Sequence, residues 1–313
     1  MILAEVQRVT SILQDELKRS KRSASKTAIL EEAWMITFVL CGMRCSGLLA
    51  KLQTDKETIS ALANALSRIL VKDVEDLLIL VHVPSQQTFI ANRELLAKQL
   101  KRSKVEHDHA FLAVDQLDAD AEAHITAPSS LKMMLEEIEN DIERKGRTSV
   151  QIISLTLLNP TKSSAGAKTG VALAGWLLEY PLVYHFRQSE NVQLQATPHS
   201  ISSIGDLFSN SLDDWDGSSD MQTNNLAGKD LTVFYVNLSI KSELEIVQNI
   251  LQFTIPVSVL HPTAEAIGIL PGSIEEIKQH LTKLFQDRIQ GQKSDQLSIR
   301  VDTKQIRMDR VAI

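Results

Sequence analysis

Lysine and threonine side chains at the start of a predicted helix give this chain its most suggestive chemistry. The segment Gly166-Ala-Lys-Thr-Gly170 has part of the pattern of a phosphate-binding loop, in which glycines let the backbone amides turn toward phosphates. Alanine separates Gly166 from Lys168, and Thr161 stands where the pattern requires its first glycine. A predicted strand before the segment and a helix after it provide the context that an anion site at Lys168 and Thr169 requires. A plain helix start is the main interpretation, and the anion site is the alternative.

Two histidines, His107 and His109, form a candidate metal site just before a predicted strand. In an extended segment they share one face, and neutral imidazoles are common metal ligands. The neighbouring sequence offers no evident third ligand. A solvated polar cluster before the strand is the main interpretation, and we expect no bound cofactor.

An acidic run, Asp213-Asp-Trp-Asp-Gly217, partly matches a calcium loop. Aligning Gly217 with the turn glycine puts Leu212 and Thr223 where the first and last acidic ligands are required, so the match fails. The surrounding residues 209–230 are rich in Ser, Asp and Asn and predict a flexible surface loop. Trp215 within it is a candidate docking residue for a partner.

Isolated cysteines and histidines elsewhere favour packing over chemistry. Cys41 and Cys45 are four residues apart in a predicted helix and are expected to be buried thiols. His82, in an apolar strand, and His185, beside an aromatic residue, are expected to be satisfied core groups. Neither a nucleophile elbow nor a His-Glu-x-x-His helix is present in the sequence.

Composition limits the classes of protein that this chain can belong to. The 313 residues are 43% apolar and 23% charged, which permits a sizeable core, and the net charge of −6 makes nucleic-acid binding an unfavoured expectation. Two cysteines do not make a disulfide scaffold, and no apolar run reaches the roughly 20 residues of a membrane span. We expect a cytoplasmic protein. The basic cluster Lys18–Arg22 is either a nuclear-import signal or a solvated helix end.

The first 72 residues predict a helical region packed on an α/β body that spans 73–313. Apolar residues at helical spacing predict a helix over 3–17 and a second over about 28–52. Thr54-Asp-Lys-Glu57 has the form of a capping box that opens a third helix.

Strands and helices alternate through the body, which predicts an α/β fold with a mixed sheet and helices on its faces. The run 77–83 lacks alternation and predicts a central strand covered on both sides. Further strands are predicted at 88–91, 110–115, 150–156, 182–186, 192–196, 231–238, 257–260 and 297–301. Helices are predicted at 93–102, 131–144 and 171–178, and capping boxes at 242–245 and 273–276 predict two more.

The segment Gly170–Phe186 is a helix-to-strand joint. Gly166, Gly170 and Gly175 flatten one side of the helix, and Pro181 ends it before an aromatic, β-branched strand. A packing role for these glycines is the main interpretation, and a ligand slot above them is the alternative.

Leu177-Leu-Glu-Tyr-Pro-Leu-Val-Tyr-His-Phe186, followed by the strand at 231–236, resembles an uncharacterised eukaryotic family typified by a human chromosome 1 open-reading-frame protein. The similarity covers about residues 148–288. The family pattern has glycine where Glu179 stands. The resemblance implies an intracellular α/β protein, and it provides no catalytic residues.

Two hypotheses for function follow from the sequence. The first is a non-catalytic protein that acts through protein–protein contacts, because the N-terminal helices are more apolar than one core requires. The second is a small-molecule-binding protein or enzyme with its site at the carboxyl ends of the strands, near Asp115 and Lys168.

Overall fold

A computed structural model describes residues 2–22, 24–52, 55–69, 77–104, 109–114, 123–144, 150–155, 163–186, 226, 228–241, 245–260, 273–290 and 296–307. These residues divide into two compact units. The described part of unit 1 lies within Met1–Lys101 and Ser129–Gly170, and that of unit 2 within Arg102–Pro128, Val171–Ser189 and Ser219–Ile313. The predicted division into residues 1–72 and 73–313 stays a prediction.

Helices and strands alternate along the chain, which confirms the α/β class. The helices are α1 (Ile2–Arg19), α2 (Lys26–Leu40), α3 (Lys56–Ile69), α4 (Arg93–Ser103), α5 (Ser129–Arg144), α6 (Ser163–Leu177) and α7 (Ile274–Gln290). The strands are β1 (Ser46–Leu48), β2 (Leu77–His82), β3 (Gln87–Asn92), β4 (Ala110–Ala113), β5 (Val150–Leu155), β6 (Leu182–His185), β7 (Asp230–Ile240), β8 (Ile246–Pro256) and β9 (Leu297–Arg307). Over the described ranges, no helix combines the length and the apolar character that a membrane crossing demands.

Unit 1 contains a four-stranded mixed sheet in the order β1-β3-β2-β5. The central strand β2 pairs antiparallel with β3 and parallel with β5. All six of its residues are buried, as its unbroken apolar run predicts. Helix α2 packs against β1 and β3, while α1 packs against α2 and α3.

Helix α2 ends earlier than the sequence analysis predicts. Gly42 has φ +64°, and the amides of Gly42 and Met43 donate to the carbonyls of Val39 and Phe38. This is the left-handed termination that glycine favours, and it closes the helix at Leu40. The prediction of one helix through residue 52, with both cysteines on it, is therefore wrong. The next helix, α3, is capped by Asp55, whose carboxylate accepts the Thr58 amide at 2.8 Å.

A buried arginine ties α5 to the start of β5 within unit 1. Arg93 is 8% exposed, and its guanidinium donates to the Ile142 carbonyl at 3.3 Å and to the Gln151 side-chain oxygen. Gln151 in turn donates to the Asp141 carbonyl at 3.2 Å. The side chains thereby satisfy carbonyls in the last turn of α5, which have no partner inside the helix.

Unit 2 contains a parallel pair, β4-β6, and an antiparallel sheet in the order β8-β7-β9. Helix α7 packs against β9, and its capping box is present: Ser273 Oγ accepts the Glu276 amide at 3.2 Å. Two predictions are wrong here. The residues after the capping-box pattern at 242–245 form strand β8, since a local cap signal cannot outweigh β-branched residues that pair along β7. Residues Val257–Leu260 form a 3₁₀ helix instead of a strand.

The predicted joint lies in unit 2, where the second part of α6 packs on β6. Trp176 is 1% exposed, and a Cβ added to Gly175 would lie 3.1 Å from Val183 Cγ1 and 3.5 Å from Val183 Cα. The close approach that the glycine was predicted to permit is therefore present. Tyr184, on the same strand, donates its hydroxyl to the Thr254 carbonyl at 2.7 Å.

Glu179 terminates α6 in the left-handed conformation, with φ +61°. Tyr180 donates its amide to the Gly175 carbonyl at 3.0 Å, which is the bond of a helix end where glycine is usual. Glutamate thus occupies a backbone position that glycine takes without strain. Here the carboxylate of Glu179 instead forms a two-pronged ion pair with Arg288 of α7 at 2.5 and 2.8 Å, and both side chains are at most 14% exposed.

Replacing Gly175 with leucine should destabilise the protein by about 1–3 kcal/mol, because the larger side chain must displace Val183. Urea unfolding measures the change. Ala174→Leu is the control, since Ala174 is half-exposed one residue earlier on the same helix. Equal stability of the Gly175→Leu and parent proteins would contradict the packing interpretation.

Replacing Glu179 with glycine should also destabilise the protein, by about 2–4 kcal/mol. Glycine relieves the left-handed strain, but the change removes the carboxylate that forms an ion pair with the buried Arg288 guanidinium. The double variant Glu179→Gly with Arg288→Met removes that charge and should recover part of the loss in a double-mutant unfolding cycle. Additive losses would show that the ion pair contributes no coupling.

Candidate functional site

A polar cluster lies at the carboxyl end of β2 in unit 1. His82 ends the strand, a 3₁₀ turn covers Val83–Ser85, and Gln86 reverses the chain with φ +54° so that Gln87 begins β3. Thr169 reaches the cluster from α6, 87 residues along the chain from His82. Two hydroxyl groups, those of Ser85 and Thr169, therefore contact the His82 imidazole, and Gln87 contacts Ser85.

The hydrogen bonds of the cluster run in a single direction. Ser85 Oγ donates to Gln87 Oε1 at 3.1 Å, and therefore accepts from His82 Nδ1 at 2.6 Å. His82 Nε2 then carries the lone pair and accepts the Thr169 hydroxyl at 3.2 Å. This order assigns the Nδ1–H tautomer from the network. We name the chain Thr169–His82–Ser85–Gln87 the His82 relay.

Burial keeps the imidazole neutral. His82 is 2% exposed and Thr169 is 5% exposed, and desolvation lowers the pKa of His82 to about 4. A histidine within 2.6 Å of a serine has the spacing of a base and its nucleophile. In the tautomer that the network assigns, Nδ1 carries the proton and donates to Ser85, so the imidazole does not accept the serine proton. The relay joins β2, the turn and α6.

Gly170 explains how α6 comes so close to the turn. A Cβ at this position would lie 2.5 Å from Ser85 Oγ and 2.9 Å from Gln87 Oε1. Any larger residue would push α6 away from the relay. Its close approach to the hydrogen-bonded side chains favours packing over a ligand slot at this glycine.

The candidate anion residues lie within α6. The helix begins at Ser163, earlier than the predicted start near 171, so Lys168 and Thr169 follow its first turn. Lys168 is half-buried, and Thr169 is part of the His82 relay. Anion binding by Lys168 and Thr169 stays a prediction. Asp115, the other residue of that hypothesis, lies outside the described residues.

His109 of the candidate metal pair lies in unit 2. It is 7% exposed, its Nδ1 is 2.8 Å from the Tyr180 carbonyl oxygen, and its ring centroid lies 6.0 Å from that of Trp176. His107 lies outside the described residues, so the pair stays a prediction. In the described parts of the chain, no three His, Cys, Asp or Glu side chains are grouped to hold a metal. The calcium-like run 213–217, which includes Trp215, also lies outside the described residues.

The two cysteines differ in burial. Cys45 is buried, as expected, whereas Cys41 is half-buried. Burial together with the charge of Glu5 raises the pKa of the Cys41 thiol to about 11. A raised thiol pKa disfavours the reactive thiolate. His185 is only half-buried, in contrast to the expected core position.

The basic cluster is partly paired. Arg22 contacts Asp55 at 2.9 Å and Glu57 at 2.8 Å, and Arg19 contacts Glu16 at 2.7 Å. Lys18 and Lys21 are exposed. The cluster thus connects α1 to the start of α3, and the import role stays a prediction.

The described elements define an α/β protein, and the His82 relay is a buried polar cluster within its unit 1. The chain belongs to the family of a domain of unknown function (DUF4504), whose model matches residues 14–204. This finding confirms the expectation of an uncharacterised family, but the matched range overlaps the expected range of 148–288 only at 148–204. Comparisons with curated proteins and with solved structures give no match.

Replacing His82 with glutamine should remove one contribution that destabilises the protein on acidification. The unfolded histidine takes up a proton near pH 6.5, whereas folded His82 does so only near pH 4. The contribution of His82 to the free energy of unfolding therefore falls as the pH drops through this window, by up to about 3 kcal/mol, and this difference between variant and parent is the expected result. Urea unfolding at several pH values between 7 and 4 measures the slope.

His124→Gln is the control for this experiment, since His124 is an exposed histidine. It should keep the acid slope of the parent protein. The neutral, buried state assigned to His82 is wrong if His82→Gln keeps that slope too.

Proposed function

We propose that this chain is a non-catalytic protein that binds a protein partner through the outer face of α2. The proposed surface, the α2 patch, consists of Leu30 and Trp34. We further propose that it acts in the cytoplasm, with the nucleus as the alternative, and that its family is the one typified by the human chromosome 1 open-reading-frame protein. The exposure of Leu30 is the observation that carries the docking proposal.

Helix α2 is apolar on more than its inner face. Ile29, Ala33 and Ile36 are buried, whereas Leu30 is 45% exposed and Trp34 is half-buried. Residues four apart lie on one helix face, so Leu30 and Trp34 are neighbours. An amphipathic helix that served only the core of its own unit would carry polar residues there.

The α2 patch is suited to bind apolar side chains of a partner. The Trp34 ring lies 5.6 Å from the ring of Phe38, which is 2% exposed, so the tryptophan is supported from within the helix. Partly exposed tryptophan is enriched at the energetic centres of interfaces. Glu31 and Lys51 form an ion pair at 3.6 Å on the exposed surface. We therefore propose a partner segment with apolar residues, such as an amphipathic helix.

The His82 relay supports a non-catalytic role. Its imidazole is neutral and buried, and its lone pair is directed at Thr169, so the histidine bridges structural elements. The alternative hypothesis, a small-molecule site near Asp115 and Lys168, stays a prediction that thermal shift with nucleotides and phosphosugars tests. It fails if no compound shifts the melt and Lys168→Ala behaves like the parent.

A photo-crosslinking residue placed at position 30 tests the docking proposal. Val247, in unit 2, is the matched control position, because it is 48% exposed and also aliphatic. We expect position 30 to crosslink one defined protein in cell extract, and position 247 to leave that protein uncrosslinked.

The variant Leu30→Glu should then abolish recovery of that protein in a pull-down, whereas Val247→Glu should not. Circular dichroism checks that both variants remain folded. Equal crosslinking from the two positions, or unchanged recovery with Leu30→Glu, would contradict docking at the α2 patch.

A further inference from the structure

The carboxyl group of Glu32 connects α2 to the chain that leaves β1. Glu32 is 2% exposed, and its Oε1 accepts the Lys51 amide at 2.6 Å. The Leu52 amide also donates to this carboxyl group. We call residues 49–52 the β1 exit segment. Its other end is held by the Leu49 amide, which donates to the Thr88 carbonyl of β3 at 2.8 Å.

We propose that Glu32 is a proton-controlled latch that holds the β1 exit segment against α2. An ionised carboxylate is an acceptor only, and it can serve both amides. A protonated carboxyl group has an O–H that is itself a donor, so it has less capacity to accept from two neighbouring N–H groups. Protonation therefore loosens the Leu52 end of the segment, while ionisation closes it.

The surroundings of Glu32 balance its two protonation states. Burial is the largest influence, and with the neighbouring charge of Glu31 it opposes the amide bonds and the Lys51 ammonium. Burial outweighs the groups that favour the carboxylate, so the pKa of Glu32 is raised from 4.5 to about 7. Both forms of the latch are therefore populated near neutral pH.

Among the described residues, Glu31 and Lys51 are the charges that act on Glu32. The sequences of β1 and β3, which pack against α2, contain no titratable residue. On α1, Arg8 is paired with Glu5, and Glu16 contacts both Arg19 and Arg68. Arg68 belongs to α3, whose Glu57 contacts Arg22. Glu31 and Lys51, paired at 3.6 Å, are thus the charges that tune Glu32.

Global stability alone cannot report on the latch. A raised carboxyl pKa means that the folded state keeps a proton that the unfolded state loses between pH 4.5 and 7, so stability falls as the pH rises through that window. Glu137 has its pKa raised to about 7 as well, mainly by burial, and contributes with the same sign. A residue-specific measurement is therefore required.

Nuclear magnetic resonance of the full chain between pH 5 and 9 provides this residue-specific measurement. We expect the Glu32 carboxyl carbon to titrate with a midpoint near 7, and the Leu52 amide to gain about tenfold in hydrogen-exchange protection as the carboxylate forms. Glu32→Gln mimics the neutral acid and should hold Leu52 at low protection at every pH. Glu137→Gln is the control and should leave the Glu32 titration unchanged.

Two flanking variants test the same latch without altering Glu32. Glu31→Gln should lower the Glu32 midpoint, and Lys51→Met should raise it, because they remove charges of opposite sign. They remain informative if Glu32→Gln does not fold. The proposal would be overturned by a Glu32 midpoint below 5 or by a Leu52 exchange protection that does not change when Glu32 ionises. It would also be overturned if the Glu32 midpoint moved in the same direction in both variants.

Discussion

Complete burial of β2 is the constraint on which the rest of unit 1 depends. Its six residues exclude water along the strand, so the polar group at its end, His82, must find partners inside the protein. The turn at Val83–Ser85 provides one partner and α6 provides the other. Gly170 is required because α6 must approach the turn to reach His82. One apolar run thus fixes the position of a helix far along the chain.

The same requirement explains the other buried polar groups. Arg93 and Gln151 satisfy the end of α5 in unit 1, while Glu179 and Arg288 neutralise each other in unit 2. Glu32 is different, because its partners are two backbone amides and its counter-charge, Lys51, already contacts Glu31. Glu32 therefore shares the positive charge of Lys51 with Glu31. Its protonation therefore responds to pH near neutrality, whereas the other groups serve as fixed links.

Long, periodic elements could be predicted from sequence, and their ends and pairings could not. The apolar run of β2, the helix α5 and the capping box of α7 were all readable locally. Strand β8 was not, since a capping-box pattern precedes it and only pairing with β7 makes its residues extended. The end of α2 carried a usable signal in Gly42, whose positive φ closes the helix. The His82 relay carried none, because Thr169 is 87 residues from His82.

The sequence by itself determined the α/β class, the central buried strand and the absence of any complete catalytic motif, because periodicity and motif spacing are local properties. The tertiary structure decided which polar residues are buried and with what partners. In the folded protein Glu179 adopts the left-handed backbone conformation, Leu30 is exposed and Glu32 is buried beside two amides. These outcomes depend on burial and on contacts between residues distant in the chain, and such contacts form only when the chain folds.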